Sequence, residues 1–286
     1  MNRKKLSILS IIILLLILTF SYKYIITINN TSNNNMIIHY IDVGQGDAIL
    51  IQVNNKNLLI DSGPSSSRKT LLNYFNKIKV KKFDYIIATH PHEDHIGNMD
   101  TIIKRFNVKN FYAPKVTNTS ITFENMIGSL VDKNLKIRIL KKGVKDIDLG
   151  NNTSIHIFSP EENMDSDNLN DYSPIIKIKF LNTSFLFTGD AEKTTEQQVL
   201  LENSNLKCDI LKIAHHGSST STSSNFLASA NPSVAIISVG KNNTYGHPSS
   251  EILSILNLMN ITTIRTDLTG TIVVTSDGEN INISRN

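Results

Sequence analysis

The sequence predicts an α+β domain in which two β-sheets pack face to face and helices cover their outer sides. Candidate strands and helices alternate in two halves of the chain, and each half begins with hairpins. The 286 residues are 40% hydrophobic and 19% charged, a balance that lets one globular domain bury a large core. No repeat with a period of about 20–50 residues is present, so a solenoid is not supported.

The first half of the domain supplies six predicted strands and three predicted helices. Apolar runs bounded by turn residues predict strands at 37–42, 48–53, 57–60, 83–88, 111–113 and 135–140. The turn Asn54-Asn55-Lys56 closes a hairpin between two of them. Helical spacing of apolar residues predicts helices at 68–79, 96–106 and 121–132.

The second half repeats this alternation. The predicted strands are 153–158, 175–180, 184–187, 210–214, 234–239, 262–265 and 270–275, and the predicted helices are 193–201, 225–230 and 250–259. The stretch 161–171 is acidic and Asn-rich with no apolar period, so we expect a loop there.

The first 35 residues differ from the rest and predict a membrane anchor. Arg3, Lys4 and Lys5 precede an almost unbroken Ile/Leu run at 6–20. No small-residue cleavage site follows, which favours an uncleaved signal-anchor over the cleaved signal peptide of a secreted protein. We therefore expect a signal-anchor and a polar tether at 1–35 and a globular domain at 36–286. The chain should cross the cell membrane once, with the globular domain on the extracellular side.

The densest polar cluster is Thr89-His90-Pro91-His92-Glu93-Asp94-His95, which directly follows a predicted strand. Open α/β sheets bind ligands beyond the carboxyl ends of their strands. His90 and His92 can point the same way if the segment is extended, and Asp94 and His95 can face the same point from the following turn. Imidazole plus carboxylate suits zinc or a similar first-row ion, and four such side chains argue against a merely solvated His-rich turn.

This cluster resembles the HxHxDH signature of the metallo-β-lactamase superfamily. The wider pattern, over about residues 36–286, is similar to the hydrolase domain at the C-terminal end of the competence protein ComEC and its free-standing relatives. The resemblance implies a four-layer αββα sandwich and a site for two divalent metal ions, Zn²⁺ or Mn²⁺.

Three further fragments carry the resemblance. The domain opens with DVGQGDA, which places Gln45 and Asp47 behind the ligands. In the following DSG, the superfamily's aspartate holds a ligand histidine, a role that the resemblance gives to Asp61. The fragment TGD ends in Asp190, which by the family pattern bridges two metals, although capping the next helix is the alternative.

Two later histidine segments complete the predicted site. Adjacent histidines in an extended chain point opposite ways, so we expect His215 as a ligand and His216 behind it or as an acid. His247 lies in a segment that resembles the N-x-Y-G-H-P motif of the ComEC-like branch, which indicates an active-site loop.

One expected histidine is missing. The superfamily supplies a third zinc histidine near 161–171, whereas this chain has Asn170-Asp171-Tyr172-Ser173 there, similar to the Asn/Asp-x-Ser of the ComEC-like branch. Asn170 is therefore expected near the first metal, which is left short of nitrogen ligands. His156 alternates with two isoleucines on a strand and is expected at the surface rather than in the site.

These features predict a metal-dependent hydrolase of phosphodiester bonds. We expect His90 and His92 to hold one ion, Asp94, His95 and His215 to hold the other, and Asp190 to lie between the two ions. His216 or His247 should stabilise the phosphate oxygens or protonate the leaving group.

The expected substrate is DNA, because the resemblance points to a domain thought to degrade the strand that ComEC does not transport. Alternatives are a cell-wall phosphodiester such as teichoic acid, a β-lactam or lactone, and a non-enzymatic tethered binding module. The net charge of +4 and the pI near 9.0 weakly favour an anionic partner. Cys208, the single cysteine, excludes an intrachain disulfide and is expected to be buried.

Overall fold

The computed structural model describes Leu15, Ile17, Thr19, residues 35–202 and residues 205–285. The chain divides into two compact units, Met1–Asn35 and Met36–Asn286, and the second contains all the elements that follow. The predicted signal-anchor and tether lie almost wholly outside the described residues. Within those residues, no helix is long and apolar enough to cross a membrane.

The described part of the second unit contains sixteen strands. They are β1 (Met36–Tyr40), β2 (Ile49–Val53), β3 (Lys56–Ile60), β4 (Lys82–Phe83), β5 (Tyr85–Ile87), β6 (Asn107–Val108), β7 (Phe111–Ala113), β8 (Ile137–Ile139), β9 (Thr153–Ile157), β10 (Ile176–Phe180), β11 (Thr183–Phe187), β12 (Ile210–Lys212), β13 (Val234–Ile237), β14 (Thr262–Arg265), β15 (Ile272–Ser276) and β16 (Ile281–Arg285).

Two large sheets and one small ribbon hold these strands. The first sheet has the order β16-β15-β1-β2-β3-β5-β7-β8, the second has the order β14-β13-β12-β11-β10-β9, and β4 pairs with β6. Asn54 and Asn55, between β2 and β3, have positive φ values of 51° and 60°. This left-handed conformation is what a two-residue hairpin turn requires, and asparagine tolerates it.

Helices connect and cover the sheets. They are α1 (Arg68–Lys77), α2 (Glu93–Ile96), α3 (Met99–Arg105), α4 (Ile121–Asp132), α5 (Lys193–Leu201), α6 (Ser224–Ala230), α7 (Ser250–Leu258) and α8 (Thr266–Thr269). Serine side chains cap α4, α6 and α7, each accepting a hydrogen bond from the backbone N–H three residues on.

Three apolar layers show how the elements pack. Between the sheets, Ile38 and Ile51 of the first sheet share a core with Ile178 and Phe185 of the second. The outer face of the first sheet packs against α1, α3 and α4, and that of the second packs against α5, α6 and α7. This arrangement confirms the predicted α+β fold with four αββα layers.

The predicted helix 96–106 is confirmed in part: residues 99–105 form α3, whereas Ile96 ends α2 and a break separates the two helices. The break falls at Asn98, whose side-chain Nδ2 donates to the carbonyl oxygens of Ser62 at 2.9 Å and Pro64 at 2.7 Å. Its backbone N–H donates to Ser62 Oγ at 3.2 Å. These hydrogen bonds to a segment distant in sequence replace helical ones, and they fix the loop after β3 against the histidine cluster.

Candidate metal centre

The predicted site residues come together at one edge of the two sheets. β3 and β5 run parallel in the first sheet, and β11 and β12 run parallel in the second. The loops beyond their carboxyl ends carry Asp61, His90, Asp190 and the pair His215-His216. Because parallel strands end on the same edge, these four loops face one another.

Asp61 orients His95. Both side chains are fully buried, and Asp61 Oδ2 accepts hydrogen bonds from His95 Nδ1 and Thr89 Oγ1, each at 2.7 Å. Since Nδ1 is occupied, His95 Nε2 is the free ring nitrogen, and it lies 3.2 Å from Asp190 Oδ2. This contact is the one that the predicted role of Asp61 requires.

His90 is anchored in the same way, at the other side of Asp190. Its Nδ1 lies 3.1 Å from Thr89 Oγ1 and 3.2 Å from Ser173 Oγ. Its Nε2 faces Asp190 Oδ2 at 3.8 Å and His92 Nδ1 at 2.9 Å. His90 and His92 therefore lie together, as the sequence predicts.

His216, rather than His215, is grouped with Asp94, His95 and Asp190; their potential ligand atoms all lie within 4.8 Å of one another. His216 Nδ1 donates to Ser238 O at 2.9 Å, and its Nε2 lies 3.3 Å from Asp94 Oδ2. The choice of His215 assumed an extended chain. Both histidines instead have left-handed φ values, 48° and 53°, in a tight turn. The structure therefore corrects the sequence-based order of the two residues.

His215 lies at the rim of this group. Its side chain is 23% exposed, and its Nε2 lies 3.8 Å from Asp190 Oδ2. Its Nδ1 lies 3.2 Å from Glu192 Oε1, an oxygen that also accepts hydrogen bonds from Asn170 Nδ2 at 3.0 Å and Thr220 Oγ1 at 2.9 Å. Asn170 thus contacts Glu192 instead of the histidines that it was expected to approach.

Asp190 occupies the centre of the site. Its buried Oδ2 lies 3.2 to 3.8 Å from ring nitrogens of four histidines, namely His90, His95, His215 and His216. Its Oδ1 has no hydrogen-bond partner within the part of the chain that the structure describes. Helix capping, the alternative for Asp190, is not seen: Glu192 precedes α5, and neither the cap position nor Asp190 supplies a side-chain cap.

The charges of the side chains in the site favour the binding of a cation. Burial alone would lower the pKa of His95, but Asp190, Asp61 and Asp94 outweigh it and raise that pKa well above its usual value. Conversely, burial would raise the pKa of Asp190, yet His95 and His216 hold it well below the usual range. Three carboxylates thus surround His95 with negative charge, which stabilises a positive charge at this point.

A divalent metal fits these residues. Among the described side chains, the buried nitrogens His95 Nε2 and His216 Nε2 lack hydrogen-bond partners, as does Asp190 Oδ1. Such orphaned polar atoms are costly in a folded protein unless something binds them. Two imidazole nitrogens and two carboxylates are a common ligand set for Zn²⁺ or Mn²⁺.

A buried ion pair supports the cluster from behind. Lys212 and Asp47 are 0% and 1% exposed, and Lys212 Nζ pairs with Asp47 Oδ2 and donates to Gly189 O at 3.1 Å. Asp47 in turn lies 3.8 Å from His216 Nδ1 and 4.0 Å from His95 Nδ1. Asp47 therefore lies behind the predicted ligands, as expected, and Lys212 is an addition to the residues predicted for the site.

Gln45 and His247 belong to a neighbouring loop. Gln45 Oε1 accepts a hydrogen bond from the Gly240 N–H at 3.1 Å, so it joins the first loop of the domain to the loop 240–249 instead of contacting a histidine. The His247 ring lies 5.5 Å from that of His215. The Ser249 N–H donates to Gly217 O at 2.9 Å, which holds this loop against the histidine turn.

Sequence reasoning missed Ser173, Glu192 and Lys212. Ser173 Oγ contacts His90 Nδ1 and accepts a hydrogen bond from the Asp190 N–H at 3.1 Å, so it joins the two sides of the site. A lysine inside the apolar run 210–214 was a visible sign of a buried pair. His156 lies exposed on β9 with Lys177 as its register partner, in keeping with the surface position expected for it.

Comparison with known proteins defines the class. Residues 41–241, well over half of the chain, match the model of the metallo-beta-lactamase superfamily. The chain therefore belongs to this superfamily. The metallo-beta-lactamase fold protein YhfI from Bacillus subtilis superposes with a TM-score of 0.58 over 85% of this chain and 100% of its own, at 13% identity, which shows the fold alone.

Within the superfamily, the chain is similar to ComEC-like competence proteins. ComE operon protein 3 of Bacillus subtilis is 32% identical over 82% of this chain and 32% of its own length. Recombination protein 2 of Haemophilus influenzae is 29% identical over 76% of this chain and 26% of its own length. The chain thus spans a third or less of the length of these relatives.

Proposed function

We propose that the chain is a metal-dependent phosphodiesterase that acts on a nucleic acid, with DNA as the favoured substrate. The position of Asp190 carries the proposal. Its Oδ2 lies among ring nitrogens of His90, His95, His215 and His216. His92 adjoins His90, and Asp94 is grouped with His95 and His216. One carboxylate between two ligand groups is the arrangement that a two-metal hydrolase needs.

Two divalent ions, Zn²⁺ or Mn²⁺, are proposed for these groups. Asp94, His95 and His216 would hold one, His90 and His92 the other, and Asp190 would contribute to both. Ions held there supply Lewis acidity to phosphoryl oxygens and lower the pKa of an attacking water.

The chain's own residues then position the ligand rings and neutralise charge on the phosphate. Asp61 and the Ser238 carbonyl bind Nδ1 of His95 and His216, so each ring presents Nε2 to the site without rearrangement. The His247 ring lies 5.5 Å from that of His215, and because its Nδ1 is buried, its Nε2 would be the atom that donates to a phosphate oxygen. Glu192 holds the His215 ring at the open side of the cluster.

The choice of substrate is supported by the relatives and by charge. The matched relatives are named for competence and recombination, and recombination acts on DNA. The net charge of +4 suits a polyanion. A cell-wall phosphodiester is the second candidate on charge alone. A β-lactam is disfavoured, because the site has Ser173 against His90 where a third histidine was expected.

For location, we propose the arrangement expected from the sequence. Residues 1–35 would anchor the chain in the cell membrane, with residues 36–286 on the extracellular side. The basic residues at 3–5 support this orientation.

The test begins with metal content and a simple ester. We expect the full chain, purified in detergent, to contain close to two equivalents of divalent metal by mass spectrometry. It should hydrolyse bis-p-nitrophenyl phosphate and lose this activity in EDTA. Full activity in EDTA, or a metal-free purified chain that no added Zn²⁺ or Mn²⁺ activates, contradicts the proposal.

Single substitutions connect the activity to this site. Asp94→Ala and His216→Ala should each remove one equivalent of metal and the activity, because each deletes a group from the four-residue cluster. His156→Ala, an exposed histidine on β9, is the matched control and should change neither.

A substrate panel separates the candidate functions. The full chain is incubated in parallel with single-stranded DNA, teichoic acid and nitrocefin. Preferential cleavage of DNA supports the proposal. Preferential hydrolysis of teichoic acid or nitrocefin would mean that the substrate is a cell-wall phosphodiester or a β-lactam instead of a nucleic acid. A metal-loaded chain that cleaves none of the three, nor the ester, is a tethered binding module.

A further inference from the structure

An exposed aromatic ring stands beside the candidate metal centre. Tyr245 is 69% exposed and stacks on His247, with ring centroids 5.8 Å apart and an interplanar angle of 24°. The His247 ring lies 5.5 Å from that of His215, whose Nε2 lies 3.8 Å from Asp190 Oδ2. A row of three rings therefore leads from solvent to the centre of the site.

The loop that carries this ring is tightly held. Asn243 Nδ2 donates to the carbonyl oxygens of Gly240 at 3.0 Å and His247 at 2.6 Å. Asn243 Oδ1 accepts from the N–H groups of Tyr245 at 3.2 Å and His247 at 3.0 Å. One side chain thus makes four hydrogen bonds inside the loop, and a substrate would not have to order it first.

We propose that Tyr245 is a stacking platform for a base of the substrate strand that neighbours the scissile phosphodiester. This inference rests on the proposed nucleic-acid phosphodiesterase activity. His247 covers one face of the Tyr245 ring, and the exposure of the side chain leaves the other face open. A base needs only a π face to stack, so such a platform tolerates any sequence.

The ligand class follows from the ring. Single exposed apolar side chains are common and need no function. Tyr245 differs from them because its ring is already packed on one face, its loop is fixed, and its neighbour His247 adjoins the predicted ligands. A planar base gains from stacking there, whereas a phosphate polymer built on sugar alcohols has no ring to stack.

The experiment compares a base-containing strand with a base-free one. The full chain in detergent, loaded with Mn²⁺, is assayed on an oligothymidylate and on an abasic phosphodiester oligomer of equal length. The variants are Tyr245→Ala and Tyr245→Phe. Leu258→Ala, which removes another exposed apolar side chain at the end of α7, is the matched control.

We expect Tyr245→Ala to lower kcat/KM on the oligothymidylate by about fivefold to 150-fold, mainly through KM, the range for loss of one stacked base. The same substitution should change kcat/KM on the abasic oligomer by less than about twofold, and Tyr245→Phe should recover most of the loss, because it restores the ring.

Two results overturn the inference. Equal losses on both oligomers show that Tyr245 acts on the site itself and not on a base. No loss on either, with wild-type cleavage intact, shows that no base stacks there, and leaves the proposed phosphodiesterase standing. If the metal-loaded wild type cleaves neither oligomer, the proposed function fails and the platform fails with it.

Discussion

The buried Lys212–Asp47 pair offers a sharp test of how the site is supported. Lys212→Met keeps the length and the apolar stem of the side chain but removes its charge. Asp47 is 1% exposed, and Lys212 supplies the ammonium group that pairs with it. Removing one member of a buried pair costs about 3–5 kcal/mol, because the other charge stays buried without compensation.

Two kinds of neighbour decide where in that range the cost lies. Asp61 contacts the same His95 ring as Asp47 and adds like charge, whereas the rings of His95 and His216 lie 4.0 Å and 3.8 Å from Asp47 and offset part of the lost charge. The matched control is Lys56→Met, which breaks the exposed pair of Lys56 and Asp148, at 2.7 Å and with 29% and 72% exposure. Exposed pairs contribute about 0–1 kcal/mol, so this control should be nearly neutral.

Urea unfolding of the full chain, followed by circular dichroism in EDTA, measures the free energy of unfolding by linear extrapolation. EDTA matters because bound metal would stabilise the folded state and compensate the orphaned charge. The double variant Lys212→Met/Asp47→Asn should recover most of the loss, since it removes both charges. A loss below about 1 kcal/mol for Lys212→Met, or no recovery in the double variant, would refute the reasoning.

Three further outcomes are expected. Burial would raise the pKa of Asp84, but hydrogen bonds from Lys109 and the Asn57 N–H lower it, so Asp84→Asn should cost about 1–2 kcal/mol at pH 7. A depressed carboxyl pKa stabilises the fold above the unfolded value of about 3.9, so the cost measured by urea unfolding should vanish as the pH falls below that value. Burial raises the pKa of the Cys208 thiol to about 12, so iodoacetamide at pH 8 should label it only after unfolding, as read by mass spectrometry. A chain that begins at Asn35 should be soluble without detergent and unfold cooperatively in urea, because it keeps the three apolar clusters formed by the described residues from Met36 onward.

The fold was largely predictable because the local sequence pattern of most strands and helices agrees with the structure that they adopt in the fold. The predicted helices 121–132 and 193–201 coincide with α4 and α5, and the first of them has clear apolar spacing. The helix predicted at 96–106 begins only at Met99, as α3, for a non-local reason. Its apolar periodicity continues through Asn98, but the hydrogen bonds of that side chain to the loop after β3 outweigh the helical ones.

The site was predictable where one motif carries it and not where distant loops meet. His90, His92, Asp94 and His95 share one strand end, so their spacing alone indicates a ligand set. The order of His215 and His216 depends on two left-handed residues in succession, which no apolar pattern reveals. The contact of Asn170 with Glu192 joins residues 22 apart in sequence, and it likewise has no local sign.

The missing third histidine leads to the last prediction, unequal binding of the two ions. On one side, His95 and His216 are anchored through Nδ1 by Asp61 and by the Ser238 carbonyl, with Asp94 beside them. On the other side, His90 is anchored through Nδ1 by Thr89 and Ser173. His92, however, is half-buried, and among the described residues its Nδ1 contacts His90 alone.

Preorganised ligands cost less ordering on binding, so the side with Asp94 should take its metal more tightly. Replacing Asn170 by His should not repair the weaker side, because the Asn170 amide contacts Glu192 and it is Ser173 that reaches His90.

Zn²⁺ titration of the metal-free full chain, followed by calorimetry, should give two affinity classes in the wild type and in Asn170→His, and His216→Ala should abolish the tighter class. Mn²⁺ should activate at least as well as Zn²⁺, because carboxylate and water suit manganese and the weaker side is short of imidazole. Two equal sites in the wild type would refute the argument from preorganisation. A gain in affinity at the weaker site in Asn170→His would mean that Asn170, and not Ser173, stands at the third-ligand position.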